Sequence, residues 1–401
     1  MKIKRFFLIF INNKCSKIYF LHQMIKKTFQ YSLIIVLLIN LISCQKEITA
    51  KPVDRKTIID SAMTVFEKKL LKNQIDSVFK KYQFNGSVAV FKDSVELYRK
   101  NQGFSDFKNK IKIDSNTVFA IGSVSKQFTA VLVLLQMQQG KLNINDKVSK
   151  YLSEFQNKDY ENITIHQLLN HTSGLNTLGG KLQFKSGSDF FYSNDGFNTL
   201  GKIAEKVSGR SYDENALELF KKAGMSNSST GTSFKGENFA GAYLENGKTI
   251  EKIPNMPKRL GSKDIGVPAG GILSTINDLH IWNNALYDGN ILNPEILNKF
   301  EAKSAERQHP IFGKMGYGYG IMMNIGKPSA YFHSGYIKGS PSLIIYYPET
   351  KTSVIILSNI ANEEKGKGFT FKPHLEIKKI TDAVENTITE MKFDSKNTIK
   401  M

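Results

Sequence analysis

Hydrophobic residues follow two periods along the chain, and these periods divide it into strand-rich ends and a helix-rich middle. Near the front, runs 86–91 and 95–98 flank a polar turn, a pattern typical of a β-hairpin. Near the end, runs 342–347 and 353–357 flank a second turn. A final amphipathic helix is indicated by apolar residues three to four positions apart, namely Ile377, Ile380, Val384 and Ile388.

Helix signals dominate the region between these ends. Predicted helices end near Tyr82, run from 123 to about 138, follow the Thr164/Gln167 capping box, and cover 194–207 and 275–285. We therefore predict an α/β (α+β) fold: one antiparallel sheet built from both ends of the chain, with flanking helices and an inserted, mainly helical subdomain. The predicted domain covers 59–391, with the sheet part at about 74–145 and 313–391, the helical part at about 146–312, and a tail at 392–401.

The amino-terminal segment predicts export. The apolar runs 6–11 and 33–42 are both too short to span a bilayer. Lys26 and Lys27 precede the second run and Ser43-Cys44 follow it, the order of a secretory signal for which Met24 is a natural start. Residues 41–44 (LISC) also resemble a bacterial lipobox, which implies a signal segment 1–43, a lipidated Cys44 and a tether to residue 58. A plain signal peptide or an uncleaved anchor is the alternative.

Composition limits the partners. The net charge is +19, but residues 1–43 hold seven basic residues and no acid, which leaves +12 spread over the body. The mean hydropathy is −0.28 and no basic block or zinc pattern is present, so we expect a lysine-rich surface and no nucleic-acid partner. Cys15 and Cys44 are the only cysteines, which excludes cysteine nucleophiles and Cys-ligated zinc in the body. We expect no metal and no cofactor.

A Ser-x-x-Lys tetrad is the first candidate for catalysis. It occurs at Ser43, Ser77, Ser105 and Ser123, but only the last opens an apolar helical run, while Gly-x-Ser-x-Gly, Walker A and dinucleotide motifs are absent. The spacing places Lys126 one turn from Ser123 on the same helical face. A desolvated lysine has a lowered pKa and can act as a base, and a helix start favours developing negative charge. A capping serine beside a surface lysine is the structural alternative.

Two more motifs favour the catalytic interpretation of Ser123 and Lys126 over the structural one. Tyr192-Ser-Asn begins a predicted helix, and His333-Ser-Gly lies at the edge of the carboxy-terminal strands. With Ser123 and Lys126 they resemble the motifs of the serine β-lactamase and penicillin-binding D,D-peptidase superfamily, in its class C-like branch. The resemblance covers about residues 74–390 and includes further segments in the same order, at 128–130 (FTA), 168–175 (LLNHTSGL), 268–271 (PAGG) and 357–359 (LSN).

The resemblance implies a role for each motif residue. Ser123 is the acylated nucleophile, Lys126 its base, and Tyr192 the phenol that exchanges protons with the leaving group, with a pKa lowered beside the lysine. Asn194 binds Lys126 and the substrate amide. The substrate-binding strand carries His333, Ser334, Gly335 and Tyr336, where Gly335 allows a close backbone approach and the Tyr336 N–H completes an oxyanion hole with that of Ser123. Structural alternatives are a core tyrosine, a capping asparagine and a β-bulge glycine.

His333 and Ser334 stand where β-lactamases usually have lysine and threonine. A histidine there resembles D,D-carboxypeptidases, D-amino-acid amidases and esterases, and it is largely neutral at pH 7. We therefore expect an acyl-enzyme hydrolase acting on peptidoglycan-like D-amino-acid peptides, or on small amides or esters. A true class C-like β-lactamase is the alternative, and a non-catalytic penicillin-binding or wall-binding lipoprotein is the alternative of another class. Lys338 either restores a positive charge or points to solvent. The expected location is the cell envelope, with the outer membrane preferred for the anchor.

Overall fold

The structure, a computed structural model, describes residues 55–254, 256–261 and 265–398. The chain divides into two units, residues 1–62 and 63–401. Of the first unit, only the beginning of helix α1 (Arg55–Tyr82) is described. The predicted signal segment and Cys44 lie outside the described residues. Helix α1 begins at Arg55, inside the segment that we predicted to be a tether, and it ends at Tyr82 as expected.

One large antiparallel sheet organises the second unit. Among the described residues it has eight strands in the order β10-β11-β12-β13-β14-β15-β1-β2. Their bounds are β1 Gly86–Lys92, β2 Val95–Gln102, β10 Ala305–His309, β11 Gly313–Tyr317, β12 Met322–Met323, β13 Tyr331–Ile337, β14 Ser340–Tyr347 and β15 Thr352–Ser358. In the centre, β1 pairs with β15, so the front of the chain joins its end in one sheet. The predicted sheet built from both ends is confirmed.

Both faces of this sheet are covered, which explains why its central strands are continuous hydrophobic runs. Along β1, Val88 and Val90 belong to a core shared with α1 and the last helix, whereas Ala89 and Phe91 belong to the core on the other face. The last helix, α10 (Lys372–Thr398), buries Ile377, Val384 and Ile388 as the spacing predicted.

The helical part lies between β2 and β10 along the chain. Its helices are α2 Ser125–Gln138, α3 Ile165–Leu169, α4 Asn194–Ser208, α5 Tyr212–Ala223, α6 Val267–Gly270, α7 Ile276–Tyr287 and α8 Pro294–Glu301, and α9 Gly366–Thr370 precedes α10. The predicted capping box is present: Thr164 accepts from the Gln167 N–H, and the Gln167 side chain accepts from the Thr164 N–H. Gly209 ends α4 in the left-handed conformation, at φ 73°. No helix in residues 55–254, 256–261 and 265–398 is long and apolar enough to cross a membrane.

Short strands complete the fold. They are β3 Phe104–Asp106, β4 Ile111–Lys112, β5 Phe119–Ala120, β6 Ser229–Thr230, β7 Tyr243–Glu245, β8 Ile250–Lys252, β9 Ile272–Ser274 and β16 Ile360–Ala361. They form small sheets in the orders β16-β7-β8, β3-β4 and β5-β9-β6.

The sheet extends further forward than predicted. We assigned residues 146–312 to the helical part, but β10 (Ala305–His309) is the edge strand of the large sheet and pairs with β11. The sequence of β10 is Ala-Glu-Arg-Gln-His, and an edge strand of this polarity has no hydrophobic alternation by which it can be recognised.

Candidate active site

Ser123 lies on a tight turn that leads into a buried helix. Gly122 has φ +53°, and residues Gly122–Val124 form a 3₁₀ turn before α2 begins at Ser125. Ser123 therefore precedes the α-helix by two residues, and our prediction that it begins the helix is wrong by that amount. The turn is specified by Gly122, since a Cβ atom there would lie 2.6 Å from the backbone nitrogen of Tyr336.

Lys126 is fully buried and lies beside the Ser123 hydroxyl. Its Nζ is 3.1 Å from Ser123 Oγ, 2.9 Å from Asn194 Oδ1 and 2.7 Å from the carbonyl oxygen of Ala269. Burial lowers the pKa of Lys126 well below its ordinary value of 10.5, because a charged amine loses hydration in the interior. The structural alternative, a lysine that reaches solvent, is therefore wrong. The Ala269 contact had no sequence signal because it uses a backbone atom.

Tyr192 and Asn194 are held at the start of α4. The Ser193 hydroxyl caps this helix by accepting from the Gly196 N–H at 2.9 Å. Asn194 Oδ1 accepts from Lys126, as the resemblance implied. Asn194 is an exposed residue, and its side-chain nitrogen makes no hydrogen bond within the described part of the chain. The Tyr192 ring centroid lies 4.8 Å from Lys126 Nζ.

The expected pKa of Tyr192 is corrected by the structure. Burial raises it above 10, and interactions with the Ser123 hydroxyl and with Arg307 lower it by less. The expectation required a charged lysine next to the phenol. Burial also lowers the pKa of Lys126, so the charged lysine that the expectation required is disfavoured, and burial of Tyr192 favours its protonated phenol.

Strand β13 approaches the Ser123 turn closely. A Cβ atom on Gly335 would lie 1.9 Å from the carbonyl oxygen of Ile121 and 2.4 Å from Ser342 Oγ, so only glycine fits there. Gly335 thus allows strand β13 to pack closely against Ile121 and Ser342 of the same chain. That it also lets the strand backbone approach a substrate stays a prediction. The same packing brings the Tyr336 backbone nitrogen next to Gly122, one residue before Ser123.

A chain of hydrogen bonds joins the second motif to the third. The Ser193 N–H donates to His171 Nδ1 at 3.1 Å, so His171 carries its proton on Nε2, 3.1 Å from Tyr317 Oη. The Tyr317 hydroxyl then donates to His333 Nε2 at 3.1 Å, and His333 Nδ1 donates to the Ser334 carbonyl at 2.6 Å. Each nitrogen of His333 thus has a partner within the protein.

His333 and His171 are neutral, as predicted for His333. Both side chains are fully buried, and burial lowers both pKa values well below 6.5. Burial raises the pKa of Tyr317 well above 10, which keeps its proton in the chain. Direct contact between the His333 ring and a substrate would require the loss of one of these bonds. Lys338 is half exposed, and its Nζ lies 3.8 Å from Glu363 Oε2.

Arg307 on β10 was missed by the sequence analysis. Its guanidinium carbon lies 5.0 Å from the Tyr192 ring centroid and 5.2 Å from that of Phe190, and burial lowers its pKa. The sequence feature that could have drawn attention to it is the scarcity of arginine, because only 6 of the 55 basic residues are arginines.

The site also bears on metal binding. No group of three or more His, Cys, Asp or Glu in the described ranges is placed to hold an ion.

Comparison with known proteins gives the class of this site. The profile of the family described as Beta-lactamase matches residues 70–372, so the chain belongs to that family. It is a serine hydrolase of the β-lactamase and D,D-peptidase type.

Individual relatives agree with this assignment. PbpX of Bacillus subtilis (strain 168), whose name places it among penicillin-binding proteins, is 28% identical over 338 residues, covering 79% of this chain and 80% of PbpX. Protein flp of Staphylococcus aureus (strain NCTC 8325 / PS 47) is 26% identical over 308 residues, 69% of this chain but only 60% of flp. The structure of a D-amino acid amidase from Ochrobactrum anthropi SV3 superposes with a TM-score of 0.66 at 21% identity, covering 78% of this chain and 98% of the amidase.

Proposed function

We propose that this protein hydrolyses D-amino-acid peptides, amides or esters through an acyl-enzyme on Ser123, with Lys126 as the base. The observation that carries the proposal is the set of hydrogen bonds around Lys126 Nζ. A neutral amine has two N–H groups, and the oxygens of Asn194 and Ala269 accept both. The lone pair is then left for Ser123 Oγ, 3.1 Å away, where a general base must be.

Acylation follows from this arrangement. Ser123 Oγ attacks the substrate carbonyl carbon while Lys126 Nζ takes the hydroxyl proton. As the tetrahedral intermediate collapses, Tyr192 gives its phenolic proton to the leaving nitrogen or oxygen, and the proton held by Lys126 restores the phenol. A water molecule then attacks the acyl-enzyme by the same steps in reverse, which releases the acid and regenerates Ser123.

Two backbone amides are suited to stabilise the intermediate. The Ser123 N–H lies at the entry to α2, and the Tyr336 N–H belongs to the strand that packs against Gly122. We infer that both donate hydrogen bonds to the developing oxyanion. Removing one such donor from an enzyme lowers kcat by about 10²-fold to 10³-fold. The side-chain nitrogen of Asn194, which has no partner among the described residues, can then donate to the acyl part of the substrate.

Substrate preference rests on the third motif and on the relatives. His333 is neutral and is bound to Tyr317 and Ser334, so it supplies no charge for the carboxylate of a β-lactam. The amidase neighbour acts on a D-amino-acid amide, as its name states. We therefore propose that peptides, amides and esters of D-amino acids are turned over faster than β-lactams, which act as slow acylating inhibitors.

One panel of substrates tests this function. Values of kcat/KM are measured for a D-Ala-D-Ala peptide, a D-amino-acid amide, an aryl ester and a chromogenic cephalosporin. We expect turnover of at least one of the first three and slow reaction with the cephalosporin. Rapid hydrolysis of the cephalosporin alone would indicate a class C-like β-lactamase. Penicillin binding without turnover of any substrate by folded protein would indicate a non-catalytic binding protein.

We also propose that the protein is exported and anchored in the cell envelope through lipid on Cys44. The support is the apolar run 33–42 followed by Ser43-Cys44, together with relatives whose names place them among penicillin-binding proteins. Metabolic labelling with a palmitate analogue should mark the wild type but not Cys44→Ser. Equal labelling of both would disprove the lipid anchor.

A further inference from the structure

His171 holds the chain on both sides of Tyr192. Its backbone carbonyl accepts a hydrogen bond from the Phe191 N–H at 2.9 Å, and its Nδ1 accepts from the Ser193 N–H at 3.1 Å. The residue between these two contacts is Tyr192, the proposed proton donor to the leaving group. One residue therefore fixes the backbone directly before and directly after the phenol.

The His171 side chain also packs on the Tyr192 ring. The two ring centroids are 4.4 Å apart, and the imidazole is fully buried. In this position the Tyr192 phenol interacts with the Ser123 hydroxyl. Because both nitrogens of the buried imidazole are hydrogen-bonded, the His171 ring has one orientation and can fix the position of the ring beside it.

The backbone of His171 supports this arrangement at a cost. His171 has φ +64°, in the left-handed region that residues other than glycine seldom adopt. This conformation directs the His171 carbonyl and Nδ1 to the same short segment, residues 191–193. Backbone strain of this kind persists where the surrounding structure requires it, and it is concentrated at functional sites.

We propose that His171 is a positioning residue, which keeps the Tyr192 phenol within reach of Ser123 and of the leaving group by binding the Ser193 N–H through Nδ1. It acts through Tyr192 and is not itself a catalytic residue. The proposal rests on the proposed function, because it uses the proton transfer assigned to Tyr192. A histidine that only stabilises the fold is the competing explanation.

Two substitutions separate the two nitrogens of His171. The side-chain oxygen of asparagine is as many bonds from Cα as Nδ1 is, so His171→Asn can still accept from the Ser193 N–H. The glutamine amide extends one bond further, to the distance of Nε2, so His171→Gln can keep the contact with Tyr317 but not the one with Ser193. His280→Gln is the control, because His280 also packs on an aromatic ring, that of Phe91 at 4.0 Å, but its Nε2 contacts Asn284 on α7.

Each variant is assayed on an amide and on a p-nitrophenyl ester of the same D-amino acid. An amine must be protonated to leave, whereas p-nitrophenolate departs without a proton, so only the amide depends on Tyr192 as donor. We expect His171→Gln to lower kcat/KM for the amide by about 10-fold to 100-fold, the range for displacing a catalytic group by about 1 Å, and to change the ester less than about threefold. His171→Asn and His280→Gln should keep both values within about fivefold of the wild type.

A double-mutant cycle tests whether His171 acts through Tyr192. In a Tyr192→Phe background, His171→Gln should lower the amide reaction no further, because the group that it positions is gone. Melting temperatures check folding, and His171→Ala takes the place of the glutamine variant if that variant does not fold. Equal loss on both substrates, no loss on either, additive effects in the cycle, or equal impairment of His171→Asn and His171→Gln would overturn the proposal while the function stands. A wild type that is inert towards both substrates would instead reject the proposed function.

Discussion

Replacing Lys126 with methionine removes the proposed base and keeps a side chain of similar length. The carbonyl of Ala269 would lose the hydrogen bond that it accepts from Lys126, at a cost of about 1–3 kcal/mol. Methionine also removes the cost of burying an amine that is charged in the unfolded chain, so the two effects oppose each other. We expect the free energy of unfolding at neutral pH to change by less than about 2 kcal/mol, while acylation falls by about 10²-fold to 10⁴-fold.

The pH dependence of stability gives a second, independent result. The pKa of Lys126 is lower in the folded protein than in the unfolded chain, where it is about 10.4. Between these two values the unfolded chain binds more protons, so this lysine makes stability rise with pH. The free energy of unfolding of the wild type should therefore increase relative to Lys126→Met as pH rises from 7 towards 10.

Denaturant unfolding at several pH values and stopped-flow acylation by an activated ester measure both effects. Acylation of Lys126→Met within threefold of the wild type would remove Lys126 from the mechanism. A stability difference that shifts in favour of the methionine variant with rising pH would show that the folded protein holds a charged lysine, and the assignment of a free lone pair would be wrong.

Three further substitutions test the site. Gly335→Ala should lower the melting temperature measured by calorimetry, because its Cβ would lie 1.9 Å from the carbonyl oxygen of Ile121 and overpacking costs about 1–3 kcal/mol; an unchanged melting temperature would contradict the packing. Tyr192→Phe should reduce kcat for amides by about 10²-fold with little change in melting temperature, and equal kcat values would exclude the phenol as proton donor. His333→Lys should lower the melting temperature without creating cephalosporin hydrolysis, because a charge would replace a buried neutral ring bonded to Tyr317; a stable variant with that activity would refute this.

The strands and helices that the sequence predicts are those whose burial produces a recognisable pattern of hydrophobic residues within the element itself. Strands β1, β14 and β15 are buried on both faces and their centres are therefore continuous hydrophobic runs, and α10 presents one apolar stripe. Strand β10 escapes prediction because an edge strand made mostly of consecutive polar residues differs little from a loop in sequence. Its position in the sheet is a result of pairing with β11, which is a contact of tertiary structure.

The motif residues are brought together as their spacing and family resemblance imply, but their electrostatics depend on surroundings that sequence does not show. The resemblance correctly places Lys126 beside Ser123 and Asn194. It gives no indication that burial of Lys126 would disfavour the charge expected to lower the pKa of Tyr192. Nor does any motif include Arg307, whose relation to Tyr192 exists only in the folded chain.

Covalent labelling of Ser123 tests the central claim most directly. Folded protein is incubated with a fluorophosphonate or a fluorescent penicillin, and the modified residue is located by peptide mass spectrometry. Ser125 provides an internal control on the same turn, because it is fully buried and its hydroxyl accepts from the Ile272 N–H at 3.0 Å. We predict one adduct, on Ser123, that persists in Ser125→Ala and disappears in Ser123→Ala. Folded protein that forms no adduct, or that carries it on another residue, would contradict the proposed acyl-enzyme.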